Sequence, residues 1–175
     1  QAALLMGEND PQIAAQRAVL EATKAQLDEA KTQLDAAIQE VSMEGYFEKE
    51  FVLTPDYCDA RAGLSPYGAF TIFQAIATEH AERIGVGGAA MAKRGEFWLT
   101  VHSRVDFVGR AHLMQTLNAK TWPEPCDETS IRCFRSYSLN CGDTPVALGR
   151  TQWAILGPEQ KVVPFGQSGF PRDFP

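Results

Sequence analysis

Two carboxylates and one helix start carry the residue types that hydrolysis of an acyl group requires. Such a reaction needs a water activated by a carboxylate or imidazole, and N–H donors for the oxyanion that develops. Glu79 and Asp59 are the candidate acids. Ser65-Pro66 reads as a helix start, with serine as N-cap and proline in the first turn. The N–H groups of Tyr67 and Gly68, just inside it, are candidate oxyanion donors, and Gly68 lets a carbonyl approach closely. Each residue also has a plainer reading. Every buried helix has an N-terminus, Glu79 stands in the favourable order for an ion pair with Arg83, and Asp59 can cap its own loop by accepting backbone N–H groups.

The other reactive residue types do less. His80 falls within an apolar helix face and reads as a hydrogen-bonded core residue, while His102 and His112 have polar neighbours and read as surface residues. Ser65 lacks a G-x-S-x-G context, and Cys58 has no histidine nearby in sequence, so neither is read as a nucleophile. Cys58, Cys126, Cys133 and Cys141 form no C-x-x-C pair, and with three scattered histidines no metal site is expected.

The elements that must position these groups are legible as periodicities. Residues 11–41 are good helix formers behind Asp10 as N-cap and Pro11, and Ile13, Leu20, Leu27, Leu34 and Val41 recur every seventh residue. With Ala30 and Ala37 they make a narrow coiled-coil seam, or the apolar face of a helix lying on its own domain. Tyr46–Thr54 alternates as a strand, and Pro66–Ile84 reads as a helix ending at Gly85. On a wheel, Ala69, Phe70, Phe73, Ile76, Ala77, Ala81 and Ile84 share one broad arc, with Thr71, Gln74, Thr78 and Glu82 in a polar strip opposite.

After a glycine-rich turn at 85–88, four period-two stretches follow: 96–107, 112–122, 129–141 and 146–156. The first places Phe97, Leu99, Val101, Val105 and Phe107 on one face, against Trp98, Thr100, His102 and Arg104. Turn signals fall at Pro123-Glu124-Pro125 and Gly142-Asp143. The order strand, helix, four strands predicts an α+β fold, an antiparallel sheet curling round one apolar helix. The organisation expected is a helical segment at 1–41, a folded domain at 42–157 and an extended tail or linker at 158–175.

Composition sets the outer bounds. A chain of 175 residues has room for one ordinary domain and an appendage. Its net charge of −6 argues against a nucleic-acid partner, and no apolar run is long enough for a membrane span. Residues 1–41 hold seven acids and three bases, whereas 42–175 hold fifteen and thirteen, so the body is nearly neutral. No basic-apolar-small signal segment opens the sequence, so a cytoplasmic location is expected, and the start at Gln1 reads as trimming or a fragment.

Cys58-Asp59-Ala60-Arg61-Ala62-Gly63-Leu64-Ser65-Pro66 resembles the loop that enters the central helix of the first hotdog domain of acyl-acyl carrier protein (ACP) thioesterases. Four further words follow in the same order. They are Gln74 with His80-Ala81-Glu82 and Gly85, Phe97-Trp98-Leu99, Thr121-Trp122-Pro123, and Arg132 through Arg135 leading to Gln152-Trp153. The resemblance covers roughly 46–157. It implies a single hotdog domain and a fatty-acyl thioester on a phosphopantetheine arm, hydrolysed to the free acid. No other cofactor is implied.

The departures from that family are equally specific. Its members usually join two hotdog domains, with a catalytic D-x-N-x-H-V-N-N type loop attributed to the second. Here the corresponding loop reads Asp59-Ala60-Arg61-Ala62-Gly63-Leu64-Ser65, without Asn or His, and only Asp59 survives as a candidate. Several single-domain hotdog thioesterases use a helix carboxylate, which makes Glu79 the acid to test first. The expected function is hydrolysis of a fatty-acyl thioester of ACP or CoA, by a homodimer. Phe70, Phe73, Phe97 and Leu99 are expected to line the acyl pocket, and Lys93, Arg94, Arg104 and Arg110 to offer a basic rim to an acidic carrier or to CoA phosphates. The alternative is a non-catalytic acyl-binding or assembly module. A hotdog dehydratase fits poorly, because the expected Gly and Pro do not follow His80.

Overall fold

The computed structural model describes residues 11–42 and 45–170, with side chains described for 12–33 and 45–170. Two compact units form, Gln1–Val41 and Ser42–Pro175. The described part of the first is helix α1, Pro11–Ser42. Leu20 and Leu27 of its heptad series are exposed. Asp10 lies outside the described residues, as do the side chains of Leu34, Ala37 and Val41.

The second unit runs β1 (Phe47–Val52), α2 (Pro66–Arg83), α3 (Gly88–Lys93), β2 (Phe97–Phe107), β3 (Thr116–Pro123), β4 (Cys133–Cys141), β5 (Thr144–Leu156) and β6 (Val162–Val163). The sheet is antiparallel in the order β1-β3-β4-β5-β2, with β6 pairing the end of β5. The β4–β5 hairpin turns at Gly142, whose φ of 57° is a left-handed conformation that favours glycine.

Helix α2 buries Ala69, Ile72, Phe73, Ile76 and Ala77 against the sheet's inner face, where Leu117, Ala119, Tyr137 and Leu139 meet them. The approach is close at two glycines. A Cβ at Gly149 of β5 would strike the Phe73 ring, and one at Gly68 would strike the Tyr57 carbonyl. Both positions therefore exclude a side chain unless backbone or ring moves.

Three features differ from the sequence reading. A bulge between Thr100 and His102 leaves Val101 out of the β2–β5 register. As a result Trp98 and Thr100 share the inner face with Ser103 and Val105, while Phe97 and Leu99 stand on the other face. The stretch after the glycine-rich turn contains α3, with Met91 fully buried. Residues 158–170 are not simply an extended tail. Phe165 and Phe170 pack with Val86, Met91, Ile155 and Trp98, and Glu96 accepts the Gly169 N–H.

Candidate functional site

The helix start forms as its residues dictate. Ser65 caps α2, its Oγ accepting the Gly68 N–H at 2.9 Å and donating to the Tyr57 carbonyl at 3.0 Å. Pro66 has no N–H, so Tyr67 keeps the one first-turn donor that neither the cap nor the helix takes up. Ser65→Ala should therefore cost about 1–2 kcal/mol, read as a shift in urea midpoint at unchanged slope.

Both candidate acids are engaged. Asp59 accepts the Arg61 N–H at 2.8 Å and the Gly63 N–H at 3.1 Å, the turn-capping arrangement. The bond from Gly63, then that from Arg61, lowers its pKa. Glu79 pairs with Lys49 of β1 rather than with Arg83. Of the basic-rim residues, Arg94 is tied to Glu96 and Arg104 to Asp106, each at 2.9 Å.

A cleft of about 600 Å³ opens elsewhere, along the Gln74–Ala81 side of α2. Trp98 of β2, Trp153 of β5, Phe134 of β4 and Phe165 and Phe170 of the last described segment line it. Asp59, Glu79, Tyr67 and Gly68 do not, and neither do Phe70, Phe73, Phe97 or Leu99. Phe73 is buried in the main core with Phe70 packed on it, while Phe97 and Leu99 are about half exposed, at 54% and 46%. The polar strip of α2, with Gln74 and Thr78, is thus the side that borders the cleft.

Arg135, on the cleft wall, belongs to a buried polar cluster that sequence reasoning did not assemble. Arg135 of β4 donates through one terminal nitrogen to His80 Nδ1 at 2.9 Å and to Thr121 Oγ1 at 3.3 Å. Because Arg135 can only donate, the bare ring nitrogen of His80 is Nδ1 and the proton sits on Nε2. Burial, then the positive charges of Arg135 and Arg83, pushes the His80 pKa down to about 4, so the ring is neutral at pH 7. The sequence signal was an arginine on the apolar alternation of β4, with Tyr137 and Leu139.

At the rim, Glu124 takes both ends of the Arg150 fork, at 2.8 and 2.6 Å, and the Ser136 hydroxyl. The bonds from Arg150 lower its pKa, with Ser136 acting the same way against some desolvation. Cys126 and Cys133 also line the cleft, with sulfurs 3.3 Å apart, and burial raises the pKa of Cys133. Cys133 is therefore a thiol at neutral pH, not an activated nucleophile. Among the described residues no group of three or more His, Cys, Asp or Glu is placed to hold a metal ion.

Comparison with solved structures identifies the architecture. A probable thioesterase from Bartonella henselae superposes with a TM-score of 0.61 at 15% identity, covering 68% of this chain and 98% of that one. This is a hotdog fold. An acyl-ACP thioesterase from Bacteroides thetaiotaomicron aligns with a TM-score of 0.64 at 16% identity, over 77% of this chain and 58% of that one. The 12:0-ACP thioesterase from Umbellularia californica aligns at 0.60 and 12%, over 68% and 48%. This chain thus spans about half the length of those two acyl-ACP thioesterases. No family model and no curated protein matches the sequence. Within the hotdog, α2 is the central helix and the cleft lies between that helix and the wrapped sheet. Among the described residues no helix is long and apolar enough to cross a membrane.

Proposed function

We propose that this hotdog unit binds the acyl chain of a fatty-acyl thioester, carried by ACP or CoA, in the cleft beside α2. The observation that carries the reading is the cleft itself. Its volume of about 600 Å³ falls in the usual range for small-molecule sites, ~300–1,000 Å³. Its walls are chiefly aromatic and aliphatic, which suits an alkyl chain and not a sugar or nucleotide. Binding ranks ahead of hydrolysis because Asp59 and Glu79 are each satisfied by partners within the chain and stand outside the cleft.

Hydrolysis to the free acid is the second reading, supported by the thioesterases that share this fold and by the Tyr67 N–H left at the helix start. A homodimer fits both readings. Strand β2 is a sheet edge of eleven residues, and Phe97, Leu99 and Val101 on it are about half exposed. An edge of that kind is blunted by pairing with a second copy. The free cysteines suit a reducing compartment such as the cytoplasm.

Two assays on a panel of acyl-CoA and acyl-ACP substrates test the proposal. Trp98 and Trp153 report occupancy by fluorescence, and a thiol reagent reports release of the carrier. The expected result is saturable quenching, with thiol release by the wild type no faster than by Glu79→Gln or Asp59→Asn. Release that either substitution abolishes, with folding intact, would make the chain a hydrolase and name its acid. Absence of quenching with every acyl length would remove the acyl-binding reading.

A further inference from the structure

Arg135 is a cation inside the domain with only neutral partners. It is 9% exposed and lines the cleft. One terminal nitrogen serves His80 and Thr121, and among the described residues nothing takes the Nε and second terminal N–H donors. No carboxylate pairs with it there either. Glu124 on the same wall is already neutralised by both arms of Arg150, and Glu128 is exposed.

The surroundings make the charge imbalance worse. Burial, then the positive charges of Arg135 and Arg83, holds His80 neutral, so it offers Arg135 a lone pair and no countercharge. Burial also raises the Tyr137 pKa, against Thr151, Arg135 and Trp153 nearby, which keeps that hydroxyl protonated. The Tyr137 hydroxyl and the Trp153 indole N–H are both buried without a hydrogen bond of normal geometry. The Arg135 charge, on the cleft wall, thus meets no acid, and the Trp153 indole beside it can only donate.

A guanidinium with a free Nε–NH2 edge matches a planar carboxylate, two parallel N–H···O bonds at once. A neutral thioester or ester carbonyl would take one such donor and leave the charge uncompensated. The remaining walls, Ala77, Ala81, Trp98, Phe165 and Phe170 among them, demand an apolar body. We propose that the cleft is a receptor for a free fatty carboxylate, with the alkyl chain along the aromatic walls and the carboxylate on Arg135. This rests on the reading of the cleft as an alkyl-chain site and goes beyond it by adding a second ligand class, since an acyl group still joined to ACP or CoA has no free carboxylate.

The test compares dodecanoate, below its micelle concentration, with dodecanol, below its solubility limit, by tryptophan fluorescence at pH 7.5. The ligands share a chain and differ in charge. Dodecanoate should bind the wild type about tenfold tighter or more, the usual reach of a charge-assisted hydrogen-bond pair. In Arg135→Gln that preference should vanish while dodecanol binding is unchanged, and Arg135→Lys should restore part of it. Equal wild-type affinity for the two ligands would overturn the receptor role and leave the acyl cleft standing. No binding of either would overturn the acyl cleft itself. The wild-type ratio decides the matter even where Arg135→Gln does not fold.

Discussion

Phe73→Ala should destabilise the domain by about 3–5 kcal/mol, measured by urea or thermal unfolding. Phe73 is 1% exposed at the middle of α2, its ring stacked on Tyr137 with centroids 4.5 Å apart and edge-on to Phe70 at 6.2 Å. Beneath it lies Gly149, where even a methyl group would collide with the ring. Ring and glycine are thus one fitted pair, and helix α2 is anchored to the sheet on both sides of it by Ala69, Ile72, Ile76 and Ala77. Truncation leaves a cavity that so fixed a helix cannot collapse to fill, which places the cost toward the upper end. Phe97→Ala, at a position 54% exposed on the other face of β2, should change stability by less than about 1 kcal/mol in the monomer. A Phe97 cost that matches that of Phe73 and depends on protein concentration would place Phe97 under a partner copy.

That contrast between two phenylalanines marks where the sequence was readable and where it was not. Periodicity placed Phe73 correctly in a buried helix face, because a helix repeats through contacts set by its own pitch. The Ser65 cap, the succession of strand, helix and four strands along the chain and the Gly142 turn are legible for the same local reason. Strict alternation groups Phe97 with Val105, and one extra residue at Val101 reverses that grouping. A bulge has no compositional signature here, since Thr100, Val101 and His102 all suit a regular strand.

The site was less legible than the fold, because its residues meet through tertiary contacts. Arg135 finds His80 across 55 residues, and Glu124 finds Arg150 across 26. The cleft needed the segment from Phe165 to Phe170 folded back beside Trp98, whereas the prolines and glycines of residues 157–175 read as a linker. Glu79 illustrates the limit well. The favourable helical partner was Arg83, but that guanidinium lies over the Phe47 ring at 4.4 Å, and Lys49 from the neighbouring strand takes the carboxylate.

Acid should weaken the fold through His80 before the carboxylates titrate. In the unfolded chain the ring takes up a proton near its ordinary pKa of 6.5, whereas the folded ring resists protonation until about pH 4. Above pH 6.5 neither state binds the proton and the group is silent. Between those values the unfolded state binds more protons, so stability falls as pH falls, by about 1.4 kcal/mol per unit and about 3 kcal/mol in all. The cause is structural: an imidazolium at this position would face Arg135 at 2.9 Å and Arg83 beyond it, in a site that is 2% exposed and roofed by Phe47. His80→Gln keeps an acceptor for Arg135 but cannot titrate, so it serves as the control. Urea unfolding at pH 7, 6 and 5 should show the wild type losing about 2 kcal/mol more than the variant by pH 5. Parallel pH profiles for the two proteins would mean that the ring is protonated as readily in the fold as outside it, and that Arg135 does not hold it neutral.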